Sequence, residues 1–123
     1  MTITRGKSPD SQSVLVKTWG AVYEYARSAL GVKAHSWVAA GKSMGGRVAS
    51  QMAADGYLPV DRLIFLGYPL HPASDVERLR DAHLYEIKVP MLFFAGTRDP
   101  LCSLPKLLGV LERIDTPHQF HTI

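Results

Sequence analysis

At 123 residues the chain is long enough for one domain with a core of its own, but short of large α/β enzymes, which need roughly twice that length. A hydrophobic share of 46% against 20% charged residues excludes a disordered chain. The net charge of +3 comes from Lys and Arg scattered along the chain without aromatic interleaving, which argues against a nucleic-acid partner.

Residues 1–11 are polar, include Gly6 and Pro9, and read as a loose lead-in. From there Leu15, Trp19, Val22, Tyr23, Ala26 and Leu30 recur at steps of three and four, the period of a one-faced helix over 12–30, with Gly31 as its stop. Ser36 to Ala40 form a short apolar run without alternation, as expected of a strand buried on both faces of a parallel sheet. Met44, Val48 and Met52 predict a second helix over 44–55, ended by Gly56. Leu63–Leu66 read as the next buried strand, closed by Gly67 and Pro69, and residues 75–85 as a charged, weakly helical stretch. Met91–Ala95 predict a third strand, residues 104–113 a helix with Leu107, Leu108 and Leu111 on one face, and Phe120–Ile123 the start of a fourth strand. Helix and buried strand alternate, so the pattern is an α/β layer with a parallel sheet and right-handed crossovers.

No run approaches the ~18 uninterrupted apolar residues of a membrane span. The first residues lack the apolar core of a signal peptide, and the single cysteine, Cys102, cannot form an internal disulfide. A cytoplasmic location is the expectation.

Ser43 stands in Gly41-Lys42-Ser43-Met44-Gly45, directly after a predicted strand and at the start of a predicted helix. A serine at a sharp strand-to-helix turn has strained backbone angles, and small flanking residues let the two arms pass; Gly41 and Gly45 fit that need. Its hydroxyl would then project above the sheet as a nucleophile, with the N–H of Met44 as one oxyanion donor, while Gly46 lets the helix pack closely on the strand. The bland alternative is an ordinary turn in which Ser43 merely caps the helix. A phosphate loop is disfavoured, because it needs a glycine where Ser36 stands. Asp99 follows the third strand, where a carboxylate can orient a histidine base; the alternative is a loop aspartate in an Asp-Pro turn.

The blocks Gly-Lys-Ser-Met-Gly-Gly-Arg at 41–47, Phe-Leu-Gly-Tyr-Pro-Leu-His-Pro at 65–72 and Val-Pro-Met-Leu-Phe-Phe-Ala-Gly-Thr-Arg-Asp at 89–99 together resemble the dienelactone-hydrolase-like α/β-hydrolases. The branch is similar to the hydrolase-like domain of a subunit of the NSL histone acetyltransferase complex and to a testis-expressed relative. The resemblance implies the C-terminal part of an α/β-hydrolase fold over 1–123, about four parallel strands with helices on both faces. It implies Ser43 as nucleophile, Asp99 as acid, no cofactor, and an ester or thioester substrate. The catalytic histidine is expected beyond Ile123 and the loop with the second oxyanion donor upstream of Met1, so the chain reads as a partial, inactive form. Dienelactone hydrolases proper carry cysteine where Ser43 stands, which puts dienelactone itself in doubt as substrate.

Tyr68, Leu70 and His71 are expected along the substrate pocket. His118 and His121 precede the loop where the base belongs, His71 falls in the wrong order, and His35 and His83 have no partner readable from sequence. Cys102 reads as a small packing residue, and no spacing suggests a zinc site. An exposed nucleophile strand at the sheet edge is expected to favour self-association. A non-catalytic interaction domain of the same fold is the alternative to a hydrolase.

Overall fold

The computed structural model describes residues 12–29 and 34–123. The expected lead-in over 1–11 and the last residue of the first predicted helix lie outside them. The chain divides into two compact units, Met1–Lys33 and Ala34–Ile123.

In the first unit, helix α1 runs Gln12–Glu24 and continues as a π-helical turn, Tyr25–Ala29. The Ser28 hydroxyl donates to Glu24 O at 2.6 Å, giving a carbonyl of the helix end a side-chain partner in competition with the backbone ladder. Arg27 donates to the Tyr23 hydroxyl at 2.6 Å and lies over the same ring, an i to i+4 pairing that only a helical backbone allows.

The second unit is a sheet with helical connections. Strands β1 (Val38–Lys42), β2 (Arg62–Leu66), β3 (Met91–Ala95) and β4 (His118–Thr122) are all parallel, in the order β1-β2-β3-β4. Helix α2 (Met44–Ala54) links β1 to β2, a 3₁₀ turn (Ala82–Glu86) precedes β3, and α3 (Leu104–Glu112) links β3 to β4. Because each crossover steps to the next strand in one direction, right-handed connections place all three on the same side of the sheet. Burial agrees: Ala39, Leu63, Phe65, Met91, Phe93 and Ala95 are enclosed, while Val38 and Leu66, on the opposite pleat, are exposed. The four parallel strands in one sheet with helical connections are the fold class expected from the sequence.

The core beneath that face is aromatic. Phe65 packs against Phe93 at 4.8 Å and edge-on to Tyr68 at 5.5 Å between ring centroids, geometries that favour such pairs beyond the area they bury. Val48, Ala49 and Met52 form the buried side of α2, and Leu107, Val110 and Leu111 form the buried stripe of α3. Helix α2 stops in a Schellman motif: Tyr57 N–H reaches Met52 O at 2.8 Å, Gly56 N–H reaches Ala53 O at 3.2 Å, and Gly56 takes φ +84°. The amino ends of β1 and β2 are tied by a reciprocal pair, Trp37 N–H to an Asp61 carboxylate oxygen and Asp61 N–H to Trp37 O, both 2.7 Å. Among the described residues no helix is long and apolar enough to cross a membrane.

Two boundaries differ from the sequence expectation for physical reasons. β1 begins two residues later than Ser36 and runs through Lys42, because Gly41 and Lys42 pair with Phe65 and Leu66; a glycine reads as a turn signal until its neighbour strand is known. The charged stretch over 75–85 is mostly turns, and only Ala82–Glu86 is helical, since Leu84 is its one buried anchor.

Candidate active site at the carboxyl ends of the strands

The site is built around one unusual backbone. Ser43 has φ 52° and ψ −125° and is the one non-glycine residue with positive φ among those described. That conformation costs on the order of 1–3 kcal/mol and persists only where the surroundings impose it. Here they do: Ser43 N–H donates to Leu66 O at 3.0 Å, pinning the turn to the end of β2, and Arg47 N–H donates to Ser43 O at 3.1 Å, closing the first turn of α2.

The close passage of strand and helix is made by Gly41 and Gly46. A Cβ on Gly41 would lie 2.4 Å from Gly46 Cα, and one on Gly46 would lie 2.7 Å from Gly41 O. Gly45 would meet nothing within 4 Å, so the expectation that Gly45 provides the clearance is corrected: the motif's last glycine faces open space, and its successor carries the contact.

Ser43 occupies the N-cap position, yet its side chain makes no capping hydrogen bond. A capping serine takes extended backbone angles and gives its oxygen to the second or third N–H of the helix, and Ser43 does neither. Met44 opens α2, so its N–H has no intrahelical acceptor and lies at the positive end of the helix dipole.

Asp99 stands across the end of β2. Its Oδ1 accepts Leu101 N–H at 2.9 Å, closing a turn that fixes the carboxylate. Its Oδ2 faces Gly67, 3.6 Å from where a Cβ would be, and Gly67 takes φ +75° with its N–H on Phe94 O at 2.8 Å. The Leu66–Gly67 peptide therefore connects the two: Leu66 O holds Ser43 and Gly67 abuts Asp99.

The five histidines are placed as follows. His71 is 1% exposed, its Nδ1 donates to Pro72 O at 2.8 Å and its Nε2 accepts Ser103 N–H at 2.9 Å, so both ring nitrogens are used in bracing the loop after Asp99. His83 lies with Nε2 2.6 Å from Ser50 Oγ and 3.1 Å from the Tyr68 hydroxyl. His118 sits at the amino end of β4 opposite Met91, and its Nδ1 donates to Thr116 O at 2.7 Å. His121 stacks on Phe94 at 5.7 Å, and His35 is in an exposed bend before β1. Among the described residues no histidine is hydrogen-bonded to Ser43 or Asp99.

Tyr68, Leu70 and His71, expected on a pocket wall, are instead enclosed, at 2%, 0% and 1% exposure. The physical reason is the long connection after β2, which closes back on itself: Arg80 N–H donates to Leu70 O at 2.7 Å and the Tyr68 hydroxyl to Arg80 O at 2.8 Å. A cavity of about 370 Å³ lies at the other end of the sheet, lined by Val38, Ile64, Met91, His118 and Gln119, and holds neither Ser43 nor Asp99.

Cys102 is buried, and burial first, then the charge of Asp99, pushes its thiol up to about 11, which leaves it a packing residue. Among the described residues no group of three or more His, Cys, Asp or Glu is placed to hold a metal ion.

Sequence reading missed the polar cluster of Ser50, His83 and Tyr68. Ser50 donates to Arg47 O at 2.6 Å and is fully buried. Burial first, then the charge of Arg47, lowers His83 to about 4, and burial raises the Tyr68 phenol. The available signal was Ser50 itself, a hydroxyl on the apolar face of α2 between Ala49 and Met52, which must find a partner when buried.

Comparison with known proteins gives the following. The sequence model of a family described as "Alpha/beta hydrolase domain" matches residues 2–123. The chain is similar to a solved structure of an alpha-beta serine hydrolase homologue from Coxiella burnetii, with TM-score 0.70 and 18% identity over 95% of this chain and 51% of that one. It is also similar to an uncharacterized protein from Bacillus cereus, with TM-score 0.69 and 18% identity over 93% of this chain and 37% of that one. A carboxylesterase from Bacillus cereus aligns with TM-score 0.59 and 18% identity, over 90% of this chain and 51% of that one. The chain thus spans about half, or less, of the length of these structures.

Proposed function

The chain belongs to the alpha/beta hydrolase domain family, and from that premise we propose that it is a serine hydrolase cleaving ester or thioester bonds by acyl transfer, with Ser43 as nucleophile. The observation that carries this is the backbone of Ser43, held at φ 52° with its side chain unused as a cap. A serine with a purely structural role gains nothing from that strain. Within the family, the three sequence blocks favour the dienelactone-hydrolase-like branch, with serine in place of cysteine.

In this reading Ser43 Oγ attacks the substrate carbonyl carbon as a histidine takes its proton, and the oxygen that becomes negative is held by Met44 N–H. The tetrahedral intermediate collapses, the carbon–oxygen or carbon–sulfur bond breaks, and the leaving group receives the proton from the imidazolium. Water repeats the sequence on the acyl-enzyme and releases the acid. Asp99 orients the histidine through Oδ2, since Oδ1 is engaged by Leu101 N–H. In the order Ser, Asp, His the base follows Asp99, and with His118 at the amino end of β4 and His121 stacked on Phe94, it is expected after β4.

The test is labelling by a fluorophosphonate probe, on the 123-residue chain and on a form extended through the neighbouring in-frame codons. Labelling of the extended form that Ser43→Ala abolishes is the expected result. A second reading, a non-catalytic interaction domain, is favoured by the lack of any described histidine hydrogen-bonded to Ser43 or Asp99. Folded protein that fails to label in both forms selects it.

A further inference from the structure

The block Phe65–Pro72 carries His71, which is too early in the chain to be the base and is buried. Both partners of its ring are main-chain groups with fixed roles: Pro72 O can only accept, and Ser103 N–H can only donate. The ring is therefore the tautomer with its proton on Nδ1, and Nε2 offers a lone pair to Ser103 at 2.9 Å, from 32 residues away in the chain. Ser103 is the N-cap residue of α3, with φ −68° and ψ 120° and no side-chain capping bond.

The main chain of His71 engages the same loop, its N–H donating to Leu101 O at 3.2 Å. Leu101 in turn gives its own N–H to Asp99 Oδ1 at 2.9 Å, and Cys102 N–H closes the turn on Asp99 O at 3.3 Å. His71 thus holds the loop at two points, Leu101 through its backbone and Ser103 through its ring, and the first of these carries the N–H that fixes the carboxylate. The other carboxylate oxygen, Oδ2, faces Gly67 at the start of the same connection, 3.6 Å from where a Cβ would be. Both oxygens of Asp99 are seated against the segment 67–71, one directly and one by way of Leu101.

A carboxylate orients a base only while it stands within about 0.5 Å of its productive place, and a loop tied down only at its ends does not hold a side chain that closely. A backbone bond to Leu101 would be available from any residue at position 71. A lone pair at the reach of Nε2 together with a donor at Nδ1 needs an imidazole. We propose that His71 is a positioning residue for Asp99: its ring and its N–H lock Leu101 and Ser103, and the locked loop keeps Asp99 Oδ2 free to orient the base. This rests on the hydrolase reading for its kinetic consequence, and on the hydrogen bonds of His71 alone for the positioning.

The experiment compares two amide variants. His71→Asn keeps a donor where Nδ1 stands but is too short to reach Ser103, whereas His71→Gln carries its carbonyl oxygen to the place of Nε2. In the full chain, hydrogen exchange at the Leu101 and Ser103 amides should quicken about tenfold or more in His71→Asn and stay within about threefold of wild type in His71→Gln. In the extended form, kcat for p-nitrophenyl acetate should fall about tenfold or more in His71→Asn with KM within about twofold, and His71→Gln should restore most of it. Exchange at Leu101 unaltered in His71→Asn, exchange that quickens while kcat holds, or an equal loss of kcat in both variants overturns the proposal, the last by reducing His71 to core packing. If His71→Asn does not fold by circular dichroism, the nitrogen spectrum of the wild-type ring decides: a proton on Nδ1 and a coupling from Nε2 to the Ser103 amide support the clamp, and a proton on Nε2 overturns it. Failure of Ser43 in the extended wild type to take a fluorophosphonate sinks the hydrolase reading instead, while exchange at Leu101 and Ser103 still decides whether His71 holds the Asp99 turn.

Discussion

Alanine at two successive positions of the elbow should move stability in opposite directions. In Gly46→Ala the new Cβ would sit 2.7 Å from Gly41 O, 3.1 Å from Gly41 C and 3.3 Å from Phe65 Cδ1. Two of those atoms are backbone of β1, so relief requires α2 to move off the strand. Overpacking of this kind costs ~1–3 kcal/mol, and replacing a helical glycine returns at most ~1 kcal/mol, for a net loss on the order of 1–2 kcal/mol. Gly45→Ala meets nothing within 4 Å and its φ is not positive, so only the gain of ~0.5–1 kcal/mol remains. In urea, with a slope of about 1–3 kcal/mol/M, the midpoint should drop by roughly 0.5–1 M for Gly46→Ala and rise for Gly45→Ala. Equal shifts of the same sign would refute the assignment of the close passage to Gly41 and Gly46, and with it the explanation of why Ser43 is held in its strained turn.

Asp99→Asn in an active form should lower kcat by about 10⁴ while leaving fold and Ser43 accessible, as loss of the orienting acid does elsewhere; a drop under tenfold would make Asp99 a turn residue only. His83 titrates near 6.5 when unfolded and near 4 when folded, so between those values the unfolded chain binds more protons and stability falls as pH drops through that window. Denaturation of His83→Gln should lose this slope, and an unchanged slope in the variant assigns it to other groups. Cys102, buried and with its thiol pushed up to about 11, should resist Ellman's reagent at pH 8 in the native state and react once unfolded; fast native reaction would place it at the surface. We also propose that β1, an edge of the sheet order, pairs between copies of the chain. Light scattering should show mass rising with concentration and less so in Val38→Lys, whereas a monomer at every concentration removes the idea.

Much of the fold was legible because its signals are local. Met91–Ala95 was delimited from its apolar run and the preceding Pro90, and β2 to within one residue, since a short apolar run bounded by turn residues is a local strand signal. α2 and α3 carried the helical period and ended within one residue of expectation. The Gly-x-Ser-x-Gly string located Ser43, although of its two glycines only Gly41 takes part in the close passage of strand and helix. The burial of Tyr68, Leu70 and His71 was not legible: alternation after β2 shows which residues are apolar, but not whether the loop folds over the sheet or away from it.

The sequence by itself located the strands, most of the helices and the serine, from patterns within about ten residues, whereas the order β1-β2-β3-β4 joins residues far apart in the chain and came from the tertiary structure. Only the tertiary structure decided which glycine clears the turn, because that depends on the distance from Gly46 to Gly41 O. It alone brought Ser50, Tyr68 and His83 together across 33 residues, and it alone left Arg47 Nε buried without a partner. These are properties of where side chains from separate elements converge, and convergence is fixed by packing the whole sheet and its helices rather than by any local pattern.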